Sequence, residues 1–502
     1  MRKTYYLVLA SLILFLAISL RIYNLGGTSL WFDEAINANI VAKPFVEFLH
    51  ETRSHNSAPI ALPLVLWSLG DLVQDTFWIR FLPMVFGVLT VATVLLLPVV
   101  GISPSIALFS AFWMACLPAQ VHYSQELREY SLSMWVGVLL IFTFLGATRQ
   151  HNSSKHPLLL GIFLFLAPLC AYGCIFLGGT LLAIYYWVCV QNRCFSLSRL
   201  LWPSGAFVIG ITLSYFITAK YQMGIGKSWY LSGDYPPPEL AGMVMWFAKS
   251  NIKYFLFQYG ALYPSVSGFS AIARILPPLV SFAAVVLFVV SAVRNKKISS
   301  PEFRLVFAFL LLLGGSILLA VLGLYPYGGL RQHLFASPLA ILAAVSSFFV
   351  LIQNCRHKHL LPVLFFSCTV VPGSMQGLPF VYRDAQNISA PVADLPTSIQ
   401  DKDVFIYYGA VPAVRFHHRN RDFYLSGSVS GQVPEMVAEV SSLDGNEVAL
   451  IFSHMLFHED HEIIAQLKQQ GYSISLDNSY AGNQDGYPGS RLVVMKKPSL
   501  SE

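Results

Sequence analysis

Charge is what this sequence has least of. Asp, Glu, Lys and Arg make up 12% of its 502 residues, about half of the ~25% usual for a soluble globular domain. A wholly soluble protein is excluded on that ground. Cysteine is also scarce: the seven thiols, at 116, 170, 174, 189, 194, 355 and 368, all lie in or beside apolar segments. None falls in the polar C-terminal region, so the sequence offers no disulfide framework for an exported domain. Cys170 and Cys174 stand at i, i+4, a pair that fits packing within a span better than metal ligation. Internal repeats, low-complexity tracts and the basic surface that nucleic acid requires are missing as well.

What is present is apolar length. Hydrophobic residues make up 55% of the chain, mean hydropathy is +0.59, and apolar runs of roughly 16 to 22 residues recur, each near the length of a membrane-crossing helix. The runs lie at 5–20, 84–101, 104–118, 131–147, 158–173, 175–190, 201–219, 272–293, 304–324, 334–352 and 360–376. They predict a polytopic α-helical membrane protein of about eleven transmembrane helices. The first run reads as an uncleaved span with its N-terminus in the cytoplasm. From residue 396 onward the composition turns soluble, with 8 Lys and Arg against 13 Asp and Glu; the preceding part carries 24 against 13. Strands are expected at 403–408, 447–452 and 491–495 and a helix at 459–470, a small α/β domain. The expected organisation is a membrane domain over 1–380 and a soluble domain over 396–502.

The charge excess tests that topology. Arg149 and Lys155, Arg193 and Arg199, Arg294 to Arg304, and Arg356 and Lys358 all fall in the turns that the count assigns to the cytoplasm. The loops 21–83, 119–130, 221–271 and 325–333 and the soluble domain then lie outside, and they carry the residues that look like chemistry.

The run Ser29-Leu30-Trp31-Phe32-Asp33-Glu34-Ala35 places two adjacent carboxylates after the first span. Asp33 and Glu34 suit the start of a helix, whose dipole favours acids. That reading leaves Trp31 and Phe32, an aromatic pair suited to a membrane surface, without a role, and ionisable groups at membrane depth are usually functional. Between two spans stands Tyr123-Ser124-Gln125-Glu126-Leu127-Arg128-Glu129-Tyr130, which reads on its own as a polar interfacial loop. A third outer run, Tyr325-Pro326-Tyr327-Gly328-Gly329-Leu330-Arg331-Gln332-His333, has Arg331 as its one formal charge, either a snorkelling anchor or a phosphate ligand.

Together these runs resemble the GT-C superfamily, polytopic glycosyltransferases that use polyprenyl-phosphate sugars. The likeness is to the bacterial branch of protein O-mannosyltransferases and aminoarabinose transferases. The resemblance implies that Asp33 is the catalytic acid/base, with Glu34 the adjacent family acid. It implies that Arg128 and Arg331 bind the donor's lipid phosphate, with Gln125 and Glu126 as donor-site or structural residues. It implies inversion at the anomeric carbon. A proline-rich segment, Asp234-Tyr235-Pro236-Pro237-Pro238, is similar to one on the family's acceptor side, which makes Asp234 a candidate there.

The chain departs from that pattern once. Where many members read Asp-x-His-Pro-Pro, it has His55-Asn56-Ser57-Ala58-Pro59, and His55 is the candidate substitute on the acceptor side. A loop histidine is as readily explained by solvation. The sequence requires no cofactor and leaves a divalent metal open. His458-Glu459-Asp460-His461-Glu462 is not a zinc motif, because its histidines are three apart and not four.

The expected function is transfer of a sugar from a polyprenyl-phosphate donor to a lipid, glycan or protein acceptor on the extracytoplasmic face of the bacterial inner (plasma) membrane. Membrane lipids are expected partners and nucleic acid is not. A lipid-linked-sugar transporter or flippase is the rival from another class, although such proteins place charges near mid-bilayer. A non-catalytic GT-C-like assembly protein is the second rival, kept open by the altered segment at His55 to Pro59.

Overall fold

The computed structural model describes residues 3–149, 155–193, 196–223, 235–237, 239–259, 269–294, 300–328, 331–353, 355–357, 360–382, 386–455, 459–481 and 488–498. Asp234, Pro238, Gly329, Lys358 and His458 lie outside the described residues. The chain divides into two compact units. The first comprises Met1–Tyr23, Leu49–Ser68 and Arg80–Val381; the second comprises Asn24–Phe48, Leu69–Ile79 and Tyr382–Glu502.

The first unit is helical. Over the described residues of the whole chain, eight helices are long and apolar enough to cross a membrane, nine if one bent pair forms a single span. Three expected spans take other forms. The run 104–118 is the bent pair, Pro104–Cys116 and Pro118–Ser124, turned by 64°. Pro118 has no N–H to give Met114, so the helical ladder stops there. The guanidinium of Arg21, itself fully buried in helix Lys3–Ile22, takes over: Nη2 donates to the Met114 carbonyl at 3.0 Å, Nη1 to that of Ala115 at 3.0 Å. The run 158–173 is a helix of 16 residues, Lys155–Cys170. The run 360–376 is interrupted by a π-helical turn, Phe366–Val370, between Leu360–Phe365 and Val371–Val381.

The span expected from residue 84 starts earlier, at Thr76. The Asp75 carboxylate accepts the N–H groups of Phe77 and Trp78 at 2.8 and 3.2 Å, capping the helix ahead of Arg80 and Pro83. A helix also spans Leu240–Tyr259, on the segment that follows the prolines.

The second unit carries a five-stranded sheet, β1 Val404–Ile406, β2 Tyr424–Leu425, β3 Glu447–Ser453, β4 Ser473–Ala481 and β5 Pro488–Lys496, in the order β2-β1-β3-β5-β4. β1 runs parallel to β2 and β3, while β5 is antiparallel to β3 and β4. β3 is central, and its run Val448 to Ser453 is buried on both faces, as an unbroken apolar stretch in a covered strand should be. Helices Val433–Ser441 and Glu459–Gln469 pack Met436, Val440, Ile463 and Leu467 against Phe405, Leu450 and Val493. Gly471, at a φ of 92°, ends the second of these helices in the left-handed conformation.

Glu459 and Asp460, at the start of helix Glu459–Gln469, serve this packing. Glu459 accepts from Tyr407, from Ser430 Oγ at 2.8 Å and from the Gly431 N–H at 2.8 Å. Asp460 pairs with Arg491 at 2.7 Å.

Candidate functional site

The loop that follows the break at Pro118 is fastened to the first helix. Gln125 Nε2 donates to the carbonyls of Arg21 and Tyr23 at 2.9 and 2.8 Å, at the C-terminal end of that helix. Arg21 Nε donates to Ser124 Oγ at 3.2 Å. Gln125 therefore holds the loop to the first helix, and the residues after it stand on a fixed base.

On that base the first unit assembles a cluster of arginines and acids. Glu126 is 4% exposed and lies 3.7 Å from Arg331 and 3.8 Å from His122 Nε2. Arg128 pairs with Glu129 at 3.4 Å, and its Nη2 donates to Ser57 Oγ at 3.3 Å. Both guanidinium carbons stand over the ring of Tyr130, Arg128 at 5.8 Å and Arg331 at 5.7 Å from its centroid. The ion-pair distances exceed the 2.7–2.9 Å of tight charge-assisted hydrogen bonds. Arg331 is the more accessible of the two cations, at 31% side-chain exposure against 9% for Arg128.

The structure thus brings together Gln125, Glu126, Arg128 and Arg331. It adds residues that the sequence did not single out. Tyr130 is the surface the arginines share, and Ser57, from the segment that departs from the family pattern, is a partner of Arg128. Arg80, 5% exposed, acts electrostatically on His122, as Arg331 does. His55 is exposed, its Nδ1 2.9 Å from Ser54 Oγ.

Asp33 and Glu34 belong to the second unit, in the first turn of helix Phe32–Val41. The two acids differ in environment. Glu34 is 1% exposed, and its Oε2 accepts the Trp31 N–H at 3.3 Å, the return bond of a capping box. Asp33 is half-buried one position earlier. The aromatic pair before them does not project alone. The Phe32 ring stacks on His454 at 4.6 Å with 5° between the planes, and Trp31 lies 6.4 Å from the same imidazole. The Leu30 N–H donates to His417 Nε2 at 3.0 Å. His417 also lines a cavity of about 470 Å³ whose other walls are Gln74 to Thr76, Phe416 and residues 418–421. Within it Arg421 is held by Asp401 through two bonds of 2.6 Å. Burial, together with the nearby Arg421 charge, lowers the pKa of His418 from its ordinary value.

Among the described residues no group of three or more His, Cys, Asp or Glu side chains is placed to hold a metal ion.

No family model matches the chain. No curated protein matches it either. Solved structures do. The chain is similar to ArnT of Cupriavidus metallidurans bound to undecaprenyl phosphate, at a TM-score of 0.51 and 13% identity, with all of both chains covered. It is similar to the oligosaccharyltransferase of Archaeoglobus fulgidus in the apo form, at a TM-score of 0.52 and 10% identity, over 90% of this chain and 70% of that one. The archaeal AglB in complex with an inhibitory peptide and a dolichol-phosphate matches at a TM-score of 0.50 and 12% identity, over 89% of this chain and 69% of that one. At these identities the likeness is one of fold. The chain is a polytopic helical membrane protein whose fold is similar to those of the ArnT and oligosaccharyltransferase structures.

Proposed function

We propose that the protein is a membrane glycosyltransferase that moves a sugar from a polyprenyl-phosphate donor to an acceptor on the extracytoplasmic face. The observation that carries this reading is the convergence of Arg128 and Arg331 on Tyr130, from loops far apart in sequence. Two planar cations held by distant loops, one of them accessible, suit a phosphate, whose oxygens match guanidinium geometry. The similar ArnT and AglB structures contain undecaprenyl phosphate and dolichol-phosphate respectively, ligands of that class.

In the proposed reaction the acceptor hydroxyl gives its proton to the Asp33 carboxylate while its oxygen attacks the anomeric carbon. The bond from that carbon to the phosphate oxygen breaks, and its electron pair stays on the departing lipid phosphate. Arg128 and Arg331 stabilise the charge that grows there. A single displacement inverts the anomeric centre. Glu34, engaged by the Trp31 N–H, keeps the helix start in place and is not the base. The energy-rich bond arrives on the lipid, so no nucleotide-sugar domain is required. His55, exposed in the first unit, and Asp234 remain acceptor-side candidates.

Purified protein incubated with a panel of polyprenyl-phosphate sugars and acceptors should release lipid phosphate and form a glycosylated product. Movement of the intact donor across a vesicle membrane without release would instead mark a flippase. Binding without either would mark an assembly protein.

A further inference from the structure

Asp33 stands in a loop and first helical turn that one β-domain holds at three points, all inside the second unit. Before it, the Leu30 N–H is bonded to His417. Immediately before it, the Phe32 ring lies flat on His454. After it, Asn39 Nδ2 donates to the Pro412 carbonyl at 2.9 Å. The three contacts bracket Asp33 and come from two places on the domain: the helix Val411–His417 with its approach, and the end of β3.

His454 is the unusual member. It directly follows β3, and its φ of 53° is in the left-handed region, which a non-glycine residue adopts at a cost of about 1 kcal/mol or more. The conformation turns the backbone sharply as it leaves the most buried strand of the sheet, and the imidazole then meets Phe32 in parallel. Strain of this kind persists where surrounding structure enforces it, and such sites cluster at functional centres. An aromatic stack contributes about 0.5–1.5 kcal/mol beyond the area it buries, enough to bias the orientation of a short loop segment.

We propose that the C-terminal domain is a working part of the catalytic centre. His454, through its stack on Phe32, is a positioning residue that sets the orientation of the Asp33 carboxylate, with His417 and Asn39 fixing the segment on either side. The inference rests on Asp33 being the base. It gives the soluble domain a role in the chemical step, and it locates that role in a ring contact and not in a proton transfer.

The test uses the full-length protein in detergent or vesicles, with a polyprenyl-phosphate sugar that it turns over. His454→Asn keeps a residue that tolerates a positive φ but removes the ring. Phe32→Leu removes the partner ring, and Phe32→Tyr keeps it. The expected result is that His454→Asn and Phe32→Leu each lower kcat about tenfold or more, as small misplacements of a reacting group do, while KM for the lipid donor stays unchanged. Phe32→Tyr should keep wild-type kcat. The double variant should be no slower than the slower single, since the two rings form one device. Wild-type kcat in His454→Asn, or losses that multiply in the double variant, would overturn the proposal. Should His454→Asn not fold, the comparison of Phe32→Leu with Phe32→Tyr decides alone. Asp33→Asn assayed in parallel separates the two layers. If it is fully active, the base assignment falls; if it is inactive while His454→Asn is not impaired, only the positioning role falls.

Discussion

Arg331 lies over the ring of Tyr130 at 5.7 Å, and Arg128 lies over the same ring at 5.8 Å. One aromatic side chain thereby fixes the separation of two cations that the sequence keeps in different loops. Replacing either arginine by alanine should weaken binding of polyprenyl phosphate by roughly 10- to 150-fold, the equivalent of a charge-assisted bond of ~1.5–3 kcal/mol. Tyr130→Leu should also weaken it, by less, because each cation–π contact contributes about 0.5–2 kcal/mol. Lysine at 331 should restore only part of the affinity, since an ammonium offers no planar fork. Titration of each purified variant with the lipid phosphate measures this; equal binding by all variants would remove the cluster from the donor site.

Arg21 makes a second prediction, one about stability. It is buried inside a hydrophobic helix and donates to the two carbonyls beside the Pro118 break and to Ser124. Arg21→Met keeps much of the length and removes every donor, leaving buried carbonyls without those bonds. The expected cost is on the order of 2–5 kcal/mol. It should register as a lower melting temperature in detergent and as faster proteolysis in the loop after Ser124. Pro118→Ala in the Arg21→Met background should recover part of the loss, because the restored N–H can satisfy Met114.

The contrast between these two clusters explains what was legible in the sequence. Apolar length gave away the spans. Pro118 showed only as a residue at the end of a run, because nothing local announces that an arginine far upstream replaces its missing N–H. The acids after the first span were readable as a helix start, and Glu34 is one, through a contact three residues back. Phe32 looked like half of a membrane-facing aromatic pair, yet its ring partner is His454, a lone histidine with no motif around it. In the sheet of the second unit, β3 declared itself by its apolar run. β4, Ser473–Ala481, did not, because it is an edge strand with Ser, Asp and Asn among its side chains, and its place comes from pairing with β5. Tyr130 and Ser57 could have been found only by knowing which distant loops meet.

Acid should loosen the second unit through Asp477. Arg491 donates to both of its oxygens, at 2.9 and 2.8 Å, and this bond holds the Asp477 pKa below its ordinary 3.8. The folded state therefore releases the proton more readily than the unfolded state. The stabilisation is complete above the unfolded value and is lost as pH falls through the folded one. Asp477→Asn should be less stable than the parent at neutral pH, with the difference shrinking once pH drops below about 4. The side chain is 35% exposed, so solvent screening keeps the effect small. Thermal unfolding followed across pH reads it, and a difference that grew on acidification would contradict the assignment.

The two adjacent acids should separate cleanly in activity. The Glu34 carboxylate is buried and accepts the Trp31 N–H, a task that the amide oxygen of glutamine performs equally well at the third position of a helix. Glu34→Gln should keep activity within a few-fold of the parent, and Glu34→Ala should mainly lower stability, by about 0.5–2 kcal/mol for a lost cap interaction. Asp33 is only half-buried, and an amide in its place can still occupy the first helical turn but cannot take a proton. Asp33→Asn should therefore lower turnover by about 10²- to 10⁴-fold, the usual contribution of a positioned general base, with little change in lipid phosphate binding. Rates from purified variants matched for folded fraction decide between the acids. Inactivity of Glu34→Gln alongside an active Asp33→Asn would exchange their roles, because a capping contact alone does not require a titratable group.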